Sequence, residues 1–142
     1  MKICFVTGEY PPMQGGVGDY TRELGRALLQ CGHQVTVITS SRASRTDRVP
    51  TQQEPTVRAI VSKWNWASWA GVLHTARSLC SDVLHIQYQA AAYAMHPAIN
   101  LLPLRLRLNK RRPRVVVTFH DLRVPYLFPK AGSLRHQANL LL

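Results

Sequence analysis

At 142 residues, with 46% apolar and 18% charged side chains, the chain has enough apolar surface for one folded domain and too much for global disorder. It holds no run of about 18 apolar residues that could cross a bilayer, and the run Ile3–Val6 is too short for a signal-peptide core, so the cytoplasm is the expected compartment. Lys and Arg number 18 against seven acids, a balance of +11 that suits anionic lipid or an acidic substrate; nucleic acid is disfavoured because no recognised binding motif accompanies the charge.

The first apolar segment, Lys2-Ile-Cys-Phe-Val-Thr7, reads as a strand. It opens into Gly8-Glu-Tyr-Pro-Pro-Met-Gln-Gly-Gly-Val-Gly18, a glycine-rich loop. Val17, Tyr20, Leu24 and Leu28 then recur at helical spacing, and Gly32 stands where a C-terminal cap belongs. Gln34–Thr39 is the second strand; Ser40 to Pro55 is a polar loop, and Thr56–Val61 the third strand. A helix over Trp66–Leu79 leads to a strand over Asp82–Tyr88. A further helix from about Tyr93 to Leu108 precedes the strand Val115–Phe119. Apolar strands alternating with helices predict an α/β fold: a doubly wound parallel sheet, Rossmann-like, in the order 3-2-1-4-5. The last segment, Ser133–Leu142, starts like a helix and stops at its most apolar residues. The chain is therefore expected to be one domain, 1–142, incomplete at its C-terminal end. Cys4, Cys31 and Cys80 have no metal-like spacing and are expected to be buried, reduced thiols, with no metal site.

In such sheets ligands bind beyond the carboxyl ends of the strands, where strand order reverses. That rule selects Gly15, Gly16 and Gly18, Tyr88 and Gln89, and His120 and Asp121. Glycines opening a helix let an anion reach unpaired backbone N–H groups at the positive end of the helix dipole. His120 is the candidate for hydrogen bonding to a sugar hydroxyl or phosphate, or for acting as a base. Asp121 either shares the site or caps the next loop. Asp19, in the first helical turn, is favoured by the dipole and could also meet a hydroxylated ligand. Glu9 reads as a solvated loop acid and His85 as a core or orienting residue. For Trp64, Trp66 and Trp69, core packing is favoured over a carbohydrate platform or a membrane foot.

The loop is not a dinucleotide fingerprint. Gly15 stands well beyond Thr7, Thr21 occupies the last glycine position counted from Gly16, and Thr39-Ser-Ser-Arg42 replaces the acid that should end the second strand. A Walker lysine is missing too. Pro11-Pro-Met-Gln-Gly-Gly-Val-Gly-Asp-Tyr-Thr-Arg-Glu-Leu24 with Gly32-His-Gln-Val-Thr-Val37 resembles the N-terminal domain of retaining, family-four-type glycosyltransferases of the GT-B architecture. Asp82-Val-Leu-His-Ile-Gln87 and Val115-Val-Val-Thr-Phe-His-Asp121 resemble that domain's fourth and fifth strands.

The resemblance implies transfer of a sugar from a nucleotide-sugar donor to a glycan or lipid-linked acceptor, with retention and no obligatory metal. It implies that Gly15 and Gly16 approach the donor diphosphate, that His120 sits near the donor sugar, and that a second domain holds the nucleotide. A lipid-linked acceptor would bring Arg105, Arg107, Lys110, Arg111, Arg112 and Arg114 against anionic headgroups, at the inner face of the plasma membrane. The alternative is a stand-alone Rossmann-like module that binds a phosphorylated ligand without catalysis. An NADP-dependent oxidoreductase using Arg42 has only the fold in its favour.

Overall fold

The structure is a computed structural model, and it describes residues 1–44, 53–108 and 112–121. Among these, five parallel strands form one sheet: β1 (Lys2–Thr7), β2 (Gln34–Ser40), β3 (Thr56–Val61), β4 (Val83–Tyr88) and β5 (Arg114–Phe119), in the order β3-β2-β1-β4-β5. This is the predicted order. Central β1 is buried on both faces from Ile3 to Thr7, whereas β4 is buried at Leu84, Ile86 and Gln87 and only partly at Val83, His85 and Tyr88.

Among the described residues three helices cover the sheet: α1 (Gly16–Gln30), α2 (Ser68–Ser78) and α3 (Ala98–Arg107). Helix α1 lies over Phe5, Val35 and Val37 through Leu24, Leu28 and Leu29. Tyr20 departs from the expected helical face: it is exposed at the sheet edge, while Thr21 and Gly25 are buried in its stead. Gly32 has φ 80°, the left-handed region that glycine enters freely. There Gly32 N–H donates to Leu29 O and His33 N–H to Leu28 O, which closes α1 with a Schellman cap.

Helices α2 and α3 share the opposite face, over Val6, Leu84 and Ile86, with Val72, Leu73, Ile99, Leu102 and Leu106 pointing inward. The helix expected from Tyr93 starts later. Ala90–Tyr93 forms a 3-10 turn, Ala94 and Met95 take left-handed φ values of 53° and 58°, and α3 begins after Pro97. Proline disfavours helix in the residue before it, so His96-Pro97 moves the helix start downstream. The Tyr93 hydroxyl lies 2.9 Å from the carbonyl oxygens of both Val6 and Gln87, tying the ends of β1 and β4 together. Of the cysteines only Cys4 is buried, where desolvation pushes its thiol up to about 12; Cys31 and Cys80 are exposed, against expectation. Both follow the last turns of helices, where the chain leaves the core. Ser133–Leu142 lies outside the described residues.

Candidate functional site

The carboxyl end of β1 turns back on itself. Thr7 Oγ1 donates to Glu9 O at 2.8 Å, and this fold-back carries the Glu9 carboxylate to the start of α1. Its Oε1 accepts from Val17 N at 3.1 Å and from Gly18 N at 3.4 Å. Glu9 is thus the N-terminal cap of α1, not a solvated loop acid. Gly15, the residue before the helix, offers no side-chain cap, and a carboxylate is favoured by the dipole there. A Cβ on Gly15 would collide with that carboxylate, and one on Gly18 would come within 3.0 Å of Tyr10 Cα. Around Gly16 the space is open. The glycines therefore fit the loop around Glu9, and Gly16 is the one with open approach from outside. Asp19 is exposed on the first turn, its N–H donating to Gly15 O.

The second half of the site comes from β4 and β5. Gln87 is fully buried, in register with Thr7 on one side and Thr118 on the other. His120 follows β5; its N–H donates to Tyr88 O at 3.0 Å, which continues the ladder by one bond. Its Nε2 lies 2.8 Å from Gln87 Oε1. An amide oxygen only accepts, so Nε2 carries the proton, and the neutral ring offers Nδ1 as an acceptor. The Tyr20 ring meets His120 edge-on at 4.9 Å, bringing α1 to the same point. Desolvation holds His120 below its ordinary pKa, with the nearby Glu9 charge opposing. His85 is half-buried on the same face, its Nε2 at 2.8 Å from Thr118 Oγ1 and its ring 5.1 Å from Phe5. Burial, and then the His120 charge, lower its pKa as well.

A neutral histidine and a glycine-opened helix thus share one end of β1, β4 and β5. The sequence model of Glycosyltransferase Family 4 matches residues 14–142, which include both. The chain belongs to Glycosyltransferase Family 4. It is also similar to a protein described as glycogen synthase from Hydrogenobaculum sp. (strain Y04AAS1), with 50% identity over 40 residues. That match takes in 27% of this chain and 8% of the relative, so the chain spans a small part of the relative's length.

Within this family domain the other expected residues divide between the two faces of the sheet. Tyr88 points to the face opposite His120, where it stacks on Tyr93 at 6.3 Å and meets Phe119 at 5.4 Å. Side chains alternate across a strand, so Gln87 and Tyr88 cannot serve one surface. Tyr88, Phe119 and Asp121 instead line a cavity of about 320 Å³ with Asn100 and Pro103 of α3. Gln89 precedes the 3-10 turn, its carbonyl accepting from Ala92 N. Trp64 and Trp69 pack against the α2–α3 core as expected, whereas Trp66 is exposed and meets Trp69 and His96 edge-on. Gln87, Tyr20 and the capping role of Glu9 were missed. The alternation of β4 identifies the face of Gln87, because His85 and Gln87 are the polar residues of an otherwise apolar strand.

Proposed function

We propose that this chain forms the acceptor-side half of the active cleft of a GT-B glycosyltransferase. The enzyme moves a sugar from a nucleotide-sugar donor to a glycan or lipid-linked acceptor, with retention and without an obligatory metal. A second domain holds the nucleotide. The observation that carries the reading is the His120–Gln87 pair facing α1 across the carboxyl edge of the sheet. Because Gln87 occupies Nε2–H, neutral His120 accepts a hydrogen bond from a sugar hydroxyl at Nδ1 rather than donating one. The Gly16 backbone leaves room for the donor diphosphate, which shares the helix N-terminus with Glu9. When the acceptor is lipid-linked, the basic stretch from Arg105 to Arg114 holds the enzyme against anionic headgroups.

The test is transfer by the full-length protein from a panel of nucleotide-sugars, with product anomeric configuration read by proton NMR. His120→Ala is expected to lower kcat by about 10²–10³-fold, the loss typical of one transition-state hydrogen-bonding group. An inverted product, or full activity in His120→Ala, would overturn the reading. Tight binding of nucleotide-sugar with no turnover would favour the binding-module alternative.

A further inference from the structure

Helix α3 presents apolar residues on two sides. Ala98, Ile99, Leu102 and Leu106 are buried against the sheet, yet Leu101, Leu104 and Leu108 are 44%, 58% and 75% exposed. At about 100° per residue the exposed leucines cluster on the side of the helix nearly opposite the buried ones. The flank toward β5 is formed by Asn100 and Pro103, which line the cavity shared with Val117 and Phe119, and none of the three exposed leucines lines that cavity. Arg105 and Arg107 border the leucine stripe on its two sides, and the exposed Arg112 and Arg114 follow. Trp66 and Met95, 46% and 42% exposed, stand before the start of α3; the Trp66 ring meets His96 at 5.3 Å. Between Glu54 and His120 the sequence holds one acid, Asp82, and nine Lys or Arg.

We propose that the outer face of α3 is a lipid-inserting surface, with Leu101, Leu104 and Leu108 entering the acyl boundary of an anionic bilayer while the arginines hold its headgroups. The inference rests on the headgroup contact proposed above and extends it from charge to apolar insertion; it does not depend on sugar transfer. An apolar strip bordered by arginines is what an interfacial helix requires: leucines below the headgroups, guanidinium groups level with the phosphates. Trp66 has the amphipathic ring that favours the membrane interface. The charge selects lipid over a second copy of the chain, since two such faces would repel.

The experiment is sedimentation of the full chain with vesicles of phosphatidylglycerol and phosphatidylcholine in equal parts, and with pure phosphatidylcholine. Wild type is expected on the anionic vesicles, with a blue shift of tryptophan emission that Trp66→Phe lacks. Leu104→Ser/Leu108→Ser leaves net charge unchanged and replaces exposed residues only, so its circular dichroism and Tm should match wild type. Its partition is expected to fall at least ~10-fold, from the transfer free energy of apolar area. Arg105→Gln/Arg107→Gln should lose about 5-fold per arginine, whereas Arg22→Gln/Arg26→Gln, an equal change of charge on α1, should lose less.

Equal partition of wild type and the serine variant would overturn insertion and leave the electrostatic contact standing. Absence of wild type from the anionic vesicles would overturn both, with sugar transfer untouched. A vesicle-free dimer abolished by the serine substitutions would assign the stripe to a second copy instead.

Discussion

On one face of the sheet α1 is the one helix among the described residues, and its arginines are paired. Arg22 and Arg26 both reach Glu54, and Arg26 also meets Glu23 at 2.7 Å. On the other face α2 and α3 lie over a larger apolar cluster, and their segments carry arginine without acid. The division follows from topology. Right-handed crossovers put the β1–β2 helix on one side and the helices leading to β4 and β5 on the other. No such crossover brings a helix over β4 and β5 on the α1 side among the described residues, so His85, Thr118 and His120 are left open enough to face a ligand. Packing is concentrated on one face and the polar chemistry on the other.

The largest test of that contrast is stability. Leu102, 1% exposed in the α2–α3 cluster, should cost about 3 kcal/mol when changed to Ala, through lost transfer energy and the cavity left behind. Leu28, on the sheet-facing side of α1, is only half-buried, and Leu28→Ala should cost about half as much. Urea unfolding of both variants measures the difference. A larger loss for Leu28 would mean that the α1 layer carries the fold.

The sheet order and every strand were legible in the sequence because apolar runs bounded by turn residues leave little choice of element. Partner selection across the edge was less legible. Tyr88 and His120 both follow the carboxyl-edge rule, yet they serve opposite faces, because that rule names an end of a strand and pleating decides the side. The capping role of Glu9 is hidden in the sequence for another reason: its partners, Val17 and Gly18, are brought to it by a loop whose path no local pattern encodes. The later start of α3, after Pro97 rather than at Tyr93, follows the proline rule applied to His96-Pro97. The basic stretch is described only in part, since Lys110 and Arg111 lie outside the described residues.

The open face makes a second prediction, on titration. Burial keeps His120 below its ordinary pKa of 6.5, so Nδ1 is available as an acceptor at neutral pH and is lost only as pH falls through that lowered value. Gln87→Glu is nearly isosteric and puts a carboxylate against Nε2–H. The imidazolium is then favoured, and the midpoint should rise by more than about one unit, or roughly 1.4 kcal/mol. NMR titration of the His120 ring proton reads this directly, and transfer activity at neutral pH should fall with it. An unmoved midpoint would mean that the Gln87–His120 contact does not set the tautomer.

The smallest effect sharpens the electrostatic side of the comparison. Hydrogen bonding from Arg22, then from Arg26, holds the Glu54 carboxyl below its ordinary 4.5, so Glu54 stabilises the fold when ionised. Its folded pKa is the lower one; the contribution is therefore fully present above 4.5 and disappears as pH falls through the folded value. The group is partly exposed and screened, so Glu54→Gln should cost only about 0.5 kcal/mol at pH 7 and nothing in strong acid. Arg107→Gln on α3 should have the opposite sign at low salt, because it removes one cation from a segment without acids and relieves repulsion. Thermal melts of the two variants at pH 7, in 20 mM and 500 mM salt, separate these cases. Salt should shrink both differences toward zero from opposite sides. A stability loss in Arg107→Gln that survives high salt would show that its aliphatic stem packs on the helix, and the two faces would then differ in packing alone.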